Sequence, residues 1–420
     1  MSFWVCLVFI AGYIAIAFEK PLKTDKAALA IITGIICWIL YFAYVQDKIA
    51  ASGLLSGHFS NISSILFFIL SAMTIVELID SHNGFSVLPH IIKTKSKTKL
   101  LGIITFITFF LSSLLDNLTT AIIMTTLASK MLEEKEDRLW FTGMIIIAAN
   151  AGGVFSPIGD VTTTMLWMGG QVTPFKILHS LFIPSLVVVL IPFIIVSLRF
   201  RGKYLNKMTI DKNYDEKEAW IFLLVGLSLL LLVPVFKYIT GLPPFMCILF
   251  SLGIFWLFTS IVNSRKSEED RKIHSVMNVM KRIDSPSILF FLGILLAVTA
   301  LQSFGQLKQL AVFLDSSFGN FYLTGTALGI GSAVIDNVPL VAAAQGMYDL
   351  GTFGTDHKFW ELIALSTGTG GSLLLIGSAA GIAAGGIENI SFIWYLRKIT
   401  PIALLGFVGG VLFYIFQNSF

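Results

Sequence analysis

Ser112-Ser113-Leu114-Leu115-Asp116-Asn117-Leu118 and Ser332-Ala333-Val334-Ile335-Asp336-Asn337-Val338 are two versions of one phrase, about 220 residues apart, each setting an acid inside an apolar stretch. A glycine-rich break follows each copy. The first is Gly152-Gly153-Val154-Phe155-Ser156-Pro157-Ile158-Gly159-Asp160, and the second is Gly370-Gly371-Ser372-Leu373-Leu374-Leu375-Ile376-Gly377-Ser378. Interrupted apolar segments at matching places in two halves of a chain point to a transporter's binding site. An ionisable group within such a segment is expensive to keep and marks function by default.

The composition fixes the solvent. Of 420 residues, 55% are hydrophobic and 13% charged, and the mean hydropathy is +0.83. Apolar runs of about 18 residues or more recur along the whole length, each able to cross a bilayer. The chain reads as a polytopic membrane protein embedded in lipid, with no soluble domain of useful size. Its net charge of +4 says nothing of nucleic acid, because Lys and Arg sit in short loops between spans. Cys6, Cys37 and Cys247 fall in apolar runs and lack the clustered partners of a disulfide or metal site. The apolar start, 1–18, lacks a basic leader and a small-residue cleavage site, and reads as the first span.

Spans are expected near 3–18, 27–45, 62–80, 139–168, 175–198, 219–239, 245–262, 285–303, 358–387 and 399–416. The stretches 100–132 and 320–349 differ. As one straight helix the first would be about 50 Å long, against a hydrocarbon core of about 30 Å. With Asp116-Asn117 at its midpoint it suits two short arms that enter and return on one side, and 320–349 repeats the pattern around Asp336-Asn337. Non-helical backbone at that depth survives only when buried in protein or lining a watery cavity. Charge supports this folding of the path. With both hairpins returning to their own side, only Lys48, Lys176, Lys237, Lys308 and Lys358 of the 29 basic residues lie on one face. The other 24 gather on the face that the positive-inside rule makes cytoplasmic. Both termini then lie outside, in a cell (inner) membrane. Residues 1–205 and 206–420 become two inverted repeats, each with a hairpin and a broken helix. Residues 46–61 and 81–98 read as interfacial connectors, with His58, His82 and His90 at the membrane edge. The loop 263–283 reads as a short cytoplasmic amphipathic segment.

Glycine and proline in mid-span unwind the helix and free backbone carbonyls and amides. With Ser156, Asp160, Thr162 and Thr163, those groups offer oxygen ligands to a small hard cation, extending the oxygen preference of other hard cations. The second break, from Ser366 and Thr367 through Ser372 to Ser378, offers the same groups without a carboxylate. Asp116, Asp160 and Asp336 lie near mid-membrane, and Glu77 lies late in its span, where it is either a site residue or interfacial. No Lys or Arg is expected at that depth. A carboxylate stripped of water and of a basic partner holds a proton, and an arriving cation expels it. Sodium and protons then compete for one acid, which suits exchange. The bland readings are glycine pairs used for close helix packing and a structural aspartate. Repetition at matching offsets weighs against both.

These elements resemble the ion transporter superfamily and, within it, the NhaD-type sodium/proton antiporters, over about residues 60–390. The resemblance rests on Ala72-Met73-Thr74-Ile75-Val76-Glu77, Leu115-Asp116-Asn117-Leu118-Thr119-Thr120, Asn150 through Thr162, Ile335-Asp336-Asn337-Val338-Pro339, and Ser366 through Ser378. Dicarboxylate-carrying relatives show Ser-Asn-Thr at the hairpin tips, where this chain has Asp-Asn, and that difference fits a cation cargo. The resemblance implies an all-α inverted-repeat ion transporter fold with two re-entrant helical hairpins and two unwound transmembrane helices. It also implies a homodimer in which a transport domain moves against a scaffold. The second tip departs from the first, with Val338-Pro339-Leu340 where the first has Leu118-Thr119-Thr120, so the half-sites are expected to be unequal.

The reading is a carrier and not an enzyme, without a cofactor, exchanging cytoplasmic Na⁺ or Li⁺ for external H⁺. Asp116, Asp160 and Asp336 are the expected proton and cation carboxylates. Asn117, Thr119, Asn150, Thr162, Asn337, Ser366 and Thr367 are expected as neutral ligands or tip clamps. Sodium itself is expected at Asp116, Asn117, Asp160 and Thr162. Ser156, Ser372 and Glu77 complete the candidate set. The alternatives are a sodium-coupled dicarboxylate or citrate carrier, a metalloid carrier of the same superfamily, and, remotely, an intramembrane aspartyl protease. Against the protease, Asp160 follows Pro157-Ile158-Gly159 and Asp116 follows Leu115. A channel is disfavoured because no ring of pore motifs recurs.

Overall fold

A computed structural model of the chain describes residues 2–17, 19–92, 94–204, 214–264, 266–268, 271 and 274–419. Among these residues the chain is all-α, and the only strand-like pairing is a bridge between Ser96 and Tyr204. Seven helices are long and apolar enough to cross a membrane: Lys26–Tyr44, Lys48–Ser81, Pro174–Arg199, Glu216–Thr240, Pro244–Asn263, Ser285–Ser303 and Thr400–Gln417. The protein is a multi-span membrane protein. The join expected at 205/206 lies outside the described residues.

The tips and breaks fall where the sequence puts them. The stretch 100–132 is two helices, Lys97–Ser112 and Asn117–Met131, meeting at the turn 113–116. The stretch 320–349 is Phe321–Gly331 and Asn337–Met347, meeting at 332–336. Span 139–168 divides into Lys135–Gly153 and Val161–Met168, and span 358–387 into Lys358–Gly370 and Ala379–Ile387. In all four cases the helix after the interruption starts on a side chain that accepts a backbone N–H. Asp116 accepts from Thr119, Asp160 from Thr162, Asp336 from Val338 and Ser378 from Gly381. Such caps satisfy amides that a helix start leaves orphaned.

Elsewhere the helices run further than apolar windows indicate. The connector 46–61 is the outer part of helix Lys48–Ser81, started by the Asp47 carboxylate on the Ile49 and Ala50 amides. Its Ser, Gly and His residues lower hydropathy without breaking a helix. Gln306–Phe318 is an additional helix, bracketed by Gly305 at φ 77° and Gly319 at φ 62°. Within 81–98 lie two short turns, Gly84–Val87 and Leu88–Ile91, and within 263–283 the short helix Val276–Met280. His82 is buried and stacked on Phe222 with ring centroids 3.6 Å apart.

Packing joins the pieces in a crossed pattern. Helix Lys97–Ser112 lies on Lys135–Gly153, and Phe321–Gly331 lies on Lys358–Gly370. Past the breaks the partners change: Ala379–Ile387 lies on Asn117–Met131, and Val161–Met168 lies on Asn337–Met347. Equivalent contacts hold both halves. Ser112 Oγ donates to the Ala149 carbonyl at 2.6 Å, and Ser332 Oγ to the Thr367 carbonyl at 2.7 Å. Both ends of the crossed pairs are tied as well. At one end Glu388 accepts from Arg138 Nε at 2.9 Å and from Ser129 Oγ. At the other, Gln345 Nε2 donates to the Met165 carbonyl at 3.2 Å.

Two glycines permit this proximity. A Cβ on Gly152 would stand 2.1 Å from the Phe109 carbonyl oxygen, and one on Gly370 would stand 1.9 Å from that of Gly329. Both obstacles are backbone, so neither can swing aside. We expect Gly152→Ala and Gly370→Ala each to destabilise the protein by about 1–3 kcal/mol or more, read as a lower thermal midpoint in detergent. Gly53, with nothing within 4 Å of its Cβ position, is the contrast. Gly53→Ala should leave the midpoint unchanged or raise it by the equivalent of up to about 1 kcal/mol. Equal effects at all three positions would refute the close backbone contact between each hairpin's first arm and the helix before each break.

Candidate functional site

The second arms of both hairpins and the outgoing halves of both broken helices begin at one small cavity. Asp116, Asn117, Asp160, Asp336 and Asn337 all line it, together with Thr164 and Ser287. The apolar part of the wall comes from Phe68, Ile69, Met73 and Phe291, on helices Lys48–Ser81 and Ser285–Ser303. No Lys or Arg is among the lining residues.

Asp160 is the centre, at 1% exposure. Its Oδ2 accepts from Asn117 Nδ2 at 3.0 Å and from Asn337 Nδ2 at 3.2 Å, so one amide arrives from each hairpin tip. Its Oδ1 accepts from the Thr162 N–H at 2.8 Å. Each of these partners is a donor, which is the arrangement an ionised carboxylate requires, since only acceptors remain on it. Asp116 and Asp336 lie close enough to act electrostatically on Asp160. Neither adds a hydrogen bond to it.

Asn150 ties the halves together at the same level. Its Oδ1 accepts from Asn117 Nδ2 at 3.0 Å, and its Nδ2 donates to Ser372 Oγ at 2.9 Å and Ser378 Oγ at 3.0 Å. Asn117, Asn150, Asp160, Ser372, Ser378 and Asn337 therefore form one buried polar network across the break of each repeat. Fully partnered, such a network rigidifies; with one member removed it leaves costly orphans.

The remaining expected residues fall around this centre. Asp116 is half-buried and caps its helix, accepting from the Thr119 N–H at 2.8 Å and Thr119 Oγ1 at 2.6 Å. Thr162 Oγ1 is buried two residues along the chain from Asp160 and does not line the cavity. Ser156 is buried within the first break, its Oγ accepting from the Ile158 N–H at 3.4 Å. Ser366 and Thr367 spend their hydroxyls on backbone, donating to the Gly325 carbonyl at 2.8 Å and the Ile363 carbonyl at 2.6 Å. Ser366 thereby seats the second hairpin, Thr367 bonds back within its own helix, and neither lines the cavity. Glu77 also lies apart, one turn beyond Met73, its carboxylate 4.0 Å from Arg282 Nη1. Among the described residues no three His, Cys, Asp or Glu side chains cluster closely enough to ligate one metal. A cation here would rest on one or two carboxylates plus amide, hydroxyl and carbonyl oxygens.

Ser378, read in the sequence as the hydroxyl opposite Asp160, stands 218 residues after it (378 − 160), the same offset that separates Gly152 from Gly370 and Gly159 from Gly377. Tyr13 escaped the sequence reading: the Asp336 N–H donates to its hydroxyl at 3.1 Å, bringing the first helix to the second tip.

The citrate transporter family model (CitMHS) matches residues 13–368. Sodium/proton antiporter 1 of Arabidopsis thaliana is 42% identical over 414 residues, covering 98% of this chain and 72% of that protein. Sodium/proton antiporter 2 of the same plant is 41% identical over 421 residues, covering 99% and 100%. The Na(+)/H(+) antiporter NhaD of Alkalimonas amylolytica is 29% identical over 450 residues, covering 99% and 91%.

Asn150→Ala would remove three hydrogen bonds from the buried network. At roughly 1 kcal/mol each, plus the cost of the orphaned groups, we expect a loss of about 3–5 kcal/mol. A clearly lowered thermal midpoint checks it, and an unshifted midpoint would show that Asn150 bridges nothing.

Proposed function

We propose that this chain, which belongs to the citrate transporter (CitMHS) family and aligns end to end with sodium/proton antiporters, exchanges cytoplasmic Na⁺ for external H⁺ by alternating access. The observation that carries the reading is the buried Asp160 carboxylate, which accepts an amide from each tip and faces a cavity without a basic residue. Its unoccupied lone pairs and the neighbouring Asp116 form an oxygen-rich corner suited to a hard monovalent cation. A proton on Asp160 would take up a lone pair that the cation needs and remove the charge that attracts it, so cation and proton exclude each other at this group. Asp116 and Asp336 add negative potential and offer alternative proton positions.

Size and charge separate this cargo from the anion in the family's name. The cavity encloses about 50 Å³, room for an ion with one or two waters at about 30 Å³ each. Pockets for small molecules start at roughly 300 Å³. Three carboxylates and no cation among the lining residues would also repel a tricarboxylate. Lithium, smaller and equally hard, is a second cargo in this reading.

The rest of the proposal is architectural. Residues 1–205 and 206–420 form inverted repeats whose hairpins re-enter from opposite sides, with their tips meeting at Asp160. Hairpins and broken helices move as a transport domain against a scaffold of the remaining spans, within a homodimer in the inner membrane, with both termini outside. The equivalent Ser112 and Ser332 contacts, and the equivalent glycine contacts, support the repeat. The basic loops support the orientation.

Dequenching of a pH dye in everted vesicles tests the cargo. Na⁺ and Li⁺ should each release the proton gradient in a pH-dependent way, and citrate should not. Asp160→Asn should abolish the sodium response while leaving a folded, membrane-inserted protein. A normal response from that variant would overturn the site; a response to citrate that requires sodium would overturn the cargo.

A further inference from the structure

A second, larger cavity of about 410 Å³ sits next to the carboxylate site. The same four helices build both. Helix Lys48–Ser81 gives Phe68 and Ile69 to the site and Asn61 and Ile65 to the larger cavity. Helix Ser285–Ser303 gives Phe291 to the first, and Leu295 and Gln302 to the second. Val161–Met168 contributes Thr164 and then Met165, while Asn337–Met347 contributes Val338 and then Ala342 and Gln345. On each element the step from one cavity to the other is one helical turn or less, about 5 Å.

The larger cavity differs in chemistry. Its polar lining is amide, hydroxyl and imidazole: Asn61, Gln302, Gln345, Ser64, Thr299 and His58. It holds no carboxylate, Lys or Arg. Neutral dipoles around a space of this size can solvate a hydrated ion without trapping it, while the neighbouring carboxylate site requires most of the water to be shed. The residues at that step are the apolar Ile65, Phe68, Leu295, Met165, Val338 and Ala342, with Thr164 beside Met165 on the carboxylate side. The cavity also borders Gly169 and Gln171, next to the loop that leads into Pro174–Arg199, at the end of the molecule that the charge pattern puts outside.

We propose that this cavity is the outer antechamber of the ion path, holding a hydrated monovalent cation or hydronium, and that the single apolar turn beside it is the closed outer gate. The assignment rests on the carrier reading and its orientation. It gives a role to Asn61, Gln302 and Gln345, which no hairpin tip or break marks out.

The test uses full-length protein whose three native cysteines are replaced and which still exchanges. Asn61→Cys, Gln302→Cys and Gln345→Cys are made singly, with Leu257→Cys, on an outward apolar face, as the reference. A quaternary-ammonium methanethiosulfonate is added to right-side-out or everted vesicles, and labelling is read by mass. Because thiol reactivity follows access to water, the three cavity positions should react from the outer side about tenfold or more faster than Leu257→Cys. Labelling should then block sodium-driven proton movement. Reaction from neither side, reaction only from the cytoplasmic side, or labelling that leaves exchange intact would each overturn the antechamber. If the unlabelled parent shows no exchange at all, the carrier reading fails first, before any reagent is added, and the antechamber falls with it.

Discussion

A buried carboxylate in a membrane protein must be held by something, and here the holders come from both halves of the sequence. Asn117 and Asn337 reach Asp160 from tips that are separated by the length of a domain in the chain. Asn150 passes the connection on to Ser372 and Ser378. Every other feature of the centre serves that convergence. Glycines let backbones touch, caps seat the four outgoing helices, and the seat of the second hairpin uses up Ser366. The low local dielectric strengthens each of these bonds and makes each missing one expensive.

The halves match in scaffold and differ in charge. Ser112 and Ser332 make the same bond, and Gly152 and Gly370 the same close approach. Yet the cap that is a carboxylate at Asp160 is a hydroxyl at Ser378, and the tip that carries Thr119-Thr120 in one copy carries Pro339-Leu340 in the other. A matched frame thus carries two of the lining carboxylates, Asp116 and Asp160, in the first half and one, Asp336, in the second. That asymmetry fits one small cation better than a symmetrical, polyanionic cargo, whatever the family as a whole is named for.

Much of this was legible because the decisive residues break rules. An Asp inside an apolar run, a Pro-Ile-Gly in mid-span and a Gly-Gly pair are costly in lipid, so Asp116, Asp160, Asp336 and both breaks stood out, and the helix ends fell close to them. What stayed hidden obeyed ordinary rules. Residues 48–61 look like a connector because Ser, Gly and His lower hydropathy without preventing a helix. Gln306–Phe318 is amphipathic and short. Tyr13 and His82 owe their surroundings to helices distant in sequence, Asn337–Met347 for one and Glu216–Thr240 for the other. The second cavity is assembled from four helices, and no window along the chain contains it.

The exchange of partners at the breaks bears on biosynthesis. Val161–Met168 finds its neighbour in Asn337–Met347, and Asn117–Met131 finds one in Ala379–Ile387. When the first half has left the ribosome, Asn150 has neither serine and Asp160 lacks one of its amides. The nascent chain must carry these polar groups in the bilayer, unsatisfied, until the last third is synthesised. Closing contacts of such long sequence separation is slow. The centre around Asp160 therefore closes only once the second half is in place, and each half, translated alone, is a clasp without its catch.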